Sequence, residues 1–173
     1  MLSAISTGGG GFTKTIVEST KGTTIGTLTA GGVATADVLT GGSEKDLFVF
    51  GDSDTSLTVM PTITDLNLGT STVAGQQDRI AIESNTDTVS VVTATTAQQA
   101  AINAETTLAL AVVNALTNVA AAQGNAMVLT YGDNKYFLYN GDNNATFDAA
   151  ADYIVKITGV LGTLDATDIV VAG

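Results

Sequence analysis

GGVATADVLTGGSEKDLFVFGDSD, residues 31–54, repeats itself every nine residues: Gly32 aligns with Gly41, Asp37 with Asp46 and Leu39 with Phe48. Each copy is a Gly…Asp-x-apolar unit, and no helix has that period. A parallel β-roll does. Each coil of about eighteen residues holds two short strands and two turns, so half a coil is one turn plus one strand. Glycine lets the turn take a positive φ, the Asp points a carboxylate into it, and the apolar residue two positions on points inward. Turns on one edge then recur about every eighteen residues, which stacks the Asp37 loop against the segment near Phe50 that carries Gly51, Asp52 and Asp54. A cation between such turns would take carboxylates from Asp37, Asp46, Asp52 and Asp54. Carbonyls of Gly32, Gly41 and Ser43 would add to the roughly six to eight oxygens that Ca²⁺ accepts. A Gly- and Asp-rich hairpin meander without metal is the alternative that these residues leave open.

Composition narrows the function classes. Among 173 residues there are 17 acidic and 6 basic side chains, a net charge of −11, with no His and no Cys. A nucleic-acid partner needs clustered Lys and Arg and is not expected. Carboxylates in such excess repel one another, and either dispersal or a hard cation relieves them. Without Cys there is no disulfide scaffold, and without His the usual general base and transition-metal ligand are missing. A Ser nucleophile would need Lys as its base, and the basic residues are scattered singly. The Gly8–Gly11 run lacks the preceding strand and following Lys-Ser/Thr of a phosphate loop. No enzyme is expected.

Residues 1–13 read as a flexible lead-in. Residues 14–94 read as a β-rich region, with short apolar runs TKTIV, TIGTLTA, ADVLT, DLFVF, SLTVM, ITDLNL, DRIAI and TDTVSVVTA punctuated by Gly, Asp and Ser. Residues 95–173 read as a helix followed by further strands, forming one compact unit with 14–94. Thr96 with Gln99 has the form of a capping box, and Gly124 stands where a C′ glycine would. Between them Ile102, Thr106, Ala109, Val113, Leu116 and Ala120, widened by Leu108, Val112, Ala115 and Val119, predict one long helix lying on a sheet, or two with a break near Thr106–Thr107. AMVLTY, a Gly132-Asp133-Asn134 turn, KYFLY, an Asn140-Gly141 turn and YIVKITGV then predict an antiparallel sheet. The fold expected is mainly β with one long helix, an α+β chain: a short parallel β-roll or β-sandwich half, then the helix and the antiparallel sheet. The apolar run at 108–122 is shorter than the ~20 residues a membrane span needs, and no Sec-type signal is expected from residues 1–17, which show neither a basic n-region nor an apolar h-region.

A second oxygen-rich stretch runs from Asn140 to Asp148. Asn140, Asp142, Asn144 and Asp148 fall at alternating or near-alternating positions, as in a calcium loop, though Ala145 and Ala151 stand where that loop has its glycine and its bidentate Glu. A hairpin turn with solvated acids is the other reading.

The unit GGSEKDLFV resembles the GGxGxDxUx nonapeptide of RTX (repeats-in-toxin) proteins, with VATADVLTGG similar to a worn preceding copy. Glu44 replaces the fourth-position Gly. Downstream, FVFGDSDTSLTVMPTITDLNLGTSTVAGQQDRIAI is similar to the segment after the repeats in serralysin-type and other RTX C-terminal domains. Asp65 fills the "ITDF" aspartate and Asp78 the first aspartate of "DKIDL", with Ala81 in place of the second. The block from Tyr131 to Val160 resembles C-terminal regions of S-layer proteins exported through type I systems, and Asp165-Ala-Thr-Asp168-Ile-Val-Val-Ala-Gly resembles their uncleaved secretion signal. The resemblance implies a secreted, cell-surface, non-catalytic protein that binds Ca²⁺, passes a type I exporter and self-associates in a surface layer or matrix. The alternative is a C-terminal secretion and folding module of a larger type I-secreted enzyme or adhesin.

Overall fold

The computed structural model describes residues 14–17, 25–29, 38–42, 45–51, 55–69, 77–83 and 88–172. The expected lead-in, 1–13, lies outside them. In chain order the strands are β1 (Lys14–Val17), β2 (Ile25–Thr29), β3 (Val38–Leu39), β4 (Lys45–Phe50), β5 (Thr62–Ile63), β6 (Arg79–Glu83) and β7 (Ser90–Val91). Helices α1 (Thr96–Asn103) and α2 (Leu108–Asn118) follow, then β8 (Asn125–Tyr131), β9 (Asn134–Tyr139), β10 (Tyr153–Ile157), a 3₁₀ turn at Ala166–Asp168 and β11 (Ile169–Ala172). The class is mixed α and β, with two helices and two sheets among the described residues.

The first sheet has the order β1-β2-β4-β6-β11, the second β3-β5-β10-β9-β8-β7. From β2 to β6 the chain changes sheet at every strand, and neighbours within each sheet are parallel. It resumes this winding at the end, where β10 adds parallel to β5 and β11 parallel to β6. Along this path the nine-residue repeat covers one change of sheet, from β3 to β4. Leu39 on β3 and Phe48 on β4 are its equivalent residues in opposite sheets, and both are fully buried in the core that the sheets share. The expected eighteen-residue stacking is not the register found. Ile25 lies opposite Lys45, Val38 opposite Thr62 and Leu47 opposite Arg79, spacings of 20, 24 and 32 residues. Strand pairing fixes side-chain parity, while turns at the edge absorb extra residues without disturbing it.

Between β6 and β10 the segment β7-α1-α2-β8-β9 is inserted. β9 runs antiparallel to both β8 and β10, and Gly132-Asp133 closes the β8–β9 hairpin, with Gly132 at φ 57° as a II′ turn requires of its first central residue. Side chains alternate along β9: Phe137 and Tyr139 enter the core between the sheets, whereas Tyr136 and Leu138 meet the helices. A sheet buried on both faces reads as a near-continuous apolar run, which is why KYFLY and YIVKI lack a polar period.

The helical stretch breaks where the second expectation put it. Thr107 caps α2, and Thr95, with Gln98, forms the capping box of α1, one residue before the expected pair. Gln99 reaches the Thr130 carbonyl instead, at 2.7 Å. The buried face is Ile102, Ala111, Val112, Ala115, Leu116 and Ala120; Ala109 is exposed. Gly124 is not a helix C′ residue: it follows α2 by several residues, and its amide meets the Asn140 carbonyl as β8 begins. The run 56–60 is not a strand but a bend at 57–59, with the Ser56 hydroxyl bonded to both the amide and the carbonyl of Val59. The run from 86 to 94 narrows to β7 among the described residues. The Asn140-Gly141 turn is the start of a longer connection, residues 140–152.

Candidate functional site

The buried acids share one sequence context. Asp46 is the second residue of β4, and Asp78, Asp152 and Asp168 directly precede β6, β10 and β11. Each belongs to an Asp followed by an alternating or continuous apolar strand: DLFVF, DRIAI, DYIVKI, DIVV. At a strand's start the backbone turns in from the edge, and a short carboxylate there reaches amides that the neighbouring turn leaves without a ladder partner.

That is how most of these carboxylates are used. Asp78 accepts the Asp46 amide at 2.9 Å on one oxygen and the Asn67 amide at 2.8 Å on the other, tying the start of β4 to the turn after β5. Asp65 takes the amides of Gly41 and Gly42 at 2.9 and 2.7 Å. Asp168 takes the Gly69 amide at 2.8 and 3.0 Å, the Gln77 side-chain amide at 2.8 Å and the Asp165 amide at 2.8 Å. Asp152 holds the Gly141 amide at 2.8 Å and the Asp148 amide at 2.9 Å. Each carboxylate is thus a clamp with two or more donors. Two positive-φ or close-approach glycines serve them: Gly42 has φ 109°, and a Cβ on Gly41 would run into the Asp46 carboxylate beneath it.

The clamps are electrostatically loaded. Burial pushes the Asp78 carboxyl up to about 6; the amides of Asn67 and Asp46 pull it down, and Asp65 and Asp168 push it further up. Burial likewise pushes Asp152 up to about 6, against the amides of Asp148 and Gly141 and with Asp142 and Asp148 adding repulsion. The Asp165 carboxyl lies below its usual range because the Thr167 hydroxyl and amide both donate to it.

Of the sequence-predicted residues, Gly32, Asp37, Ser43, Asp52 and Asp54 lie outside the described residues. Gly41, Asp46, Asp65 and Asp78 come together at one edge of the sheets through the bonds above. Asn140, Asp142, Asn144 and Asp148 form a second cluster. The Asn140 side chain donates to the Ala120 carbonyl at 2.8 Å and accepts the Asn143 amide at 2.9 Å. Asp142 holds both the amide and the side chain of Asn144, and Asp148 accepts the Ala150 amide. Asp152 and the clamp role of Asp168 go beyond the sequence reading, although both carry the Asp-x-apolar order seen in residues 31–54. Among the described residues, no group of three or more acidic side chains is placed to hold a metal ion. No described helix is long and apolar enough to cross a membrane.

Fold and site together define, among the described residues, a mixed α and β chain with two largely parallel sheets, its turns held by aspartate clamps and its second sheet backed by a helical hairpin. Comparison with protein-family models, curated proteins and solved structures finds no match to this chain.

Proposed function

We propose that the chain is a non-catalytic, extracellular structural module built on a short RTX-like parallel roll, exported by a type I system and self-associating at a cell surface or in a matrix. The observation that carries this reading is the Asp-before-strand unit, recurring at β4, β6, β10 and β11 on a chain that winds alternately through two sheets. A repeated unit of this kind builds a scaffold. The acids that could serve acid–base chemistry are held instead on backbone amides.

Calcium belongs to this reading through the RTX resemblance and the net charge of −11. A divalent cation near either acidic edge would relieve the repulsion felt by Asp78 and Asp152, and each bound ion adds stability by mass action, about 2.7 kcal/mol at a hundredfold excess over its Kd. Melting in EGTA, then in millimolar Ca²⁺ or Mg²⁺, tests this, with light scattering on the same samples. The expected result is a higher melting temperature and larger particles with Ca²⁺ than with Mg²⁺. Identical melting in all three removes calcium from the reading, and a monomer under every condition removes self-association.

A further inference from the structure

The sequence holds one Asn-Gly pair, Asn140-Gly141. Asparagine is thermally labile, and a following glycine makes it most so, because no side chain shields the glycine nitrogen from the asparagine carboxamide. The fold nevertheless needs both residues. Asn140 is 0% exposed; its side-chain nitrogen donates to the Ala120 carbonyl at 2.8 Å, and its oxygen accepts the Asn143 amide at 2.9 Å and the Asp142 amide at 3.3 Å. An ionised aspartate has no donor for Ala120, and a Cβ at position 141 would run into the Ala151 carbonyl. Further bonds close the pair in. The Gly141 amide donates to Asp152 at 2.8 Å, the Gln123 side chain holds the Gly141 carbonyl at 2.7 Å, and the Asn140 amide and carbonyl meet Asn125 and Gly124 at 2.9 and 2.8 Å.

We infer that Asn140-Gly141 is a self-modification site gated by the 140–152 connection: inert while the connection is closed, and converted on opening to an acid that the closed form cannot take back. The reaction uses only this chain and water. The Gly141 nitrogen bonds to Asn140 Cγ, the bond from Cγ to the side-chain nitrogen breaks, and ammonia leaves with the Gly141 amide proton. Water then opens the five-membered imide, giving aspartate or, with the main chain rerouted through the side chain, isoaspartate. Both reacting groups are held back in the closed form. The nitrogen has to turn out of its bond with Asp152, and the carboxamide out of its bonds with Ala120 and Asn143, before the two meet in line. The product makes the gate one-way. An acid at 140 sets a carboxylate oxygen against the Ala120 carbonyl where a donor had been, and adds its charge to those of Asp142, Asp148 and Asp152 in the same connection. Isoaspartate also lengthens the main chain and displaces the Gly141 amide from Asp152. Neither calcium nor self-association enters this chemistry.

Peptide mapping by mass spectrometry, on protein held in warm, mildly alkaline buffer, reads the conversion at residue 140. In the folded chain it is expected to be about tenfold slower or more than in concentrated urea. Asp152→Asn, whose amide cannot accept from both Gly141 and Asp148, is expected to speed it about fivefold or more without urea. Asp78→Asn, which weakens a clamp in the other cluster, is expected to leave it unchanged, both variants being confirmed folded by circular dichroism. Asn140→Asp, made directly, is expected to exchange amides faster across 140–152 than the unaltered chain, with the core strands unaffected. Conversion as fast in the folded chain as in urea overturns the gate and makes Asp152 a base rather than a lock. Equal acceleration by Asp78→Asn means global rather than local opening and overturns it as well, and unchanged exchange in Asn140→Asp overturns the one-way step.

Discussion

Acid should strengthen this fold, and Asp78 and Asp152 give the size of the effect. Both have folded-state values raised from 3.8 to about 6. A raised folded value means that folding favours the protonated form, so the stabilisation is complete below 3.8 and is lost as pH rises through 6. Going from about pH 7.5 to about pH 5, one such group contributes about 1 kcal/mol, and two together about 2 kcal/mol, after screening by solvent at the edge. For a chain of this size that is a rise of roughly 4–8 °C in melting temperature. The acids facing the two groups, Asp65 and Asp168 on one side and Asp142 and Asp148 on the other, act in the same direction, since their charges are what protonation relieves. Asp165 acts oppositely, but its depressed value confines its effect to pH below 3.8, outside this window. Asp78→Asn is neutral at every pH. It should remove roughly half of the increment while lowering stability at pH 7.5 by about 1–3 kcal/mol, because the amide cannot accept from both Asp46 and Asn67. Thermal melts of both proteins at the two pH values check this. Lower melting of the unaltered chain at pH 5, or an unchanged pH increment in Asp78→Asn, would refute the reasoning.

Three further outcomes follow from the clamps. Asp168→Ala leaves the Gly69 and Asp165 amides without their acceptor and should cost about 3–5 kcal/mol in urea denaturation, whereas Asp142→Ala, whose carboxylate holds the amide and side chain of the neighbouring, exposed Asn144, should cost under about 1 kcal/mol. Gly141→Ala drives a Cβ into the Ala151 carbonyl oxygen and should cost about 2 kcal/mol or more, with earlier amide exchange across residues 140–152 than in the core strands. Phe48→Ala, at the centre of the core between the sheets, should cost about 3–5 kcal/mol.

The parts of the fold that were legible in the sequence are those where one local signal suffices. DLFVF alternates because its outer face is only half covered, and β4 buries Asp46, Phe48 and Phe50 in that order. Thr107 before LALAVV marks the second helix because a threonine there captures the Leu110 amide. Coil spacing was not legible. It depends on how many residues each turn stores between strands whose register is fixed by burial, and turn length leaves no trace in strand periodicity. The insertion of the helices between β6 and β10 was legible as a change of composition, but not the return of Tyr153–Ile157 to pair with Thr62 and Ile63, which is a contact across more than ninety residues.

The acids of the candidate site resemble cation ligands in sequence for a physical reason. A calcium loop and an amide clamp place the same demand on sequence: a short carboxylate in a glycine-bearing turn just ahead of a strand. In one case the partial positive charge is a metal shared between oxygens, and in the other it is two N–H dipoles aimed at one carboxylate. Asp78 and Asp152 show the limit of the second solution. Two amides each do not offset burial and neighbouring charge, and both carboxyls stay near 6. A turn held in this way is stable enough to fold and remains electrostatically unsatisfied near neutral pH. Protons, or a divalent cation near Asp65 and Asp168 or near Asp142 and Asp148, would therefore tighten the same turns by the same means. It follows that the two should not add: if Ca²⁺ acts at these edges, its stabilisation should be largest at pH 7.5 and fade toward pH 5 as the carboxyls it would relieve become protonated. Melting curves over a grid of pH and Ca²⁺ measure that coupling, and a calcium increment independent of pH would place the ion away from both clamps.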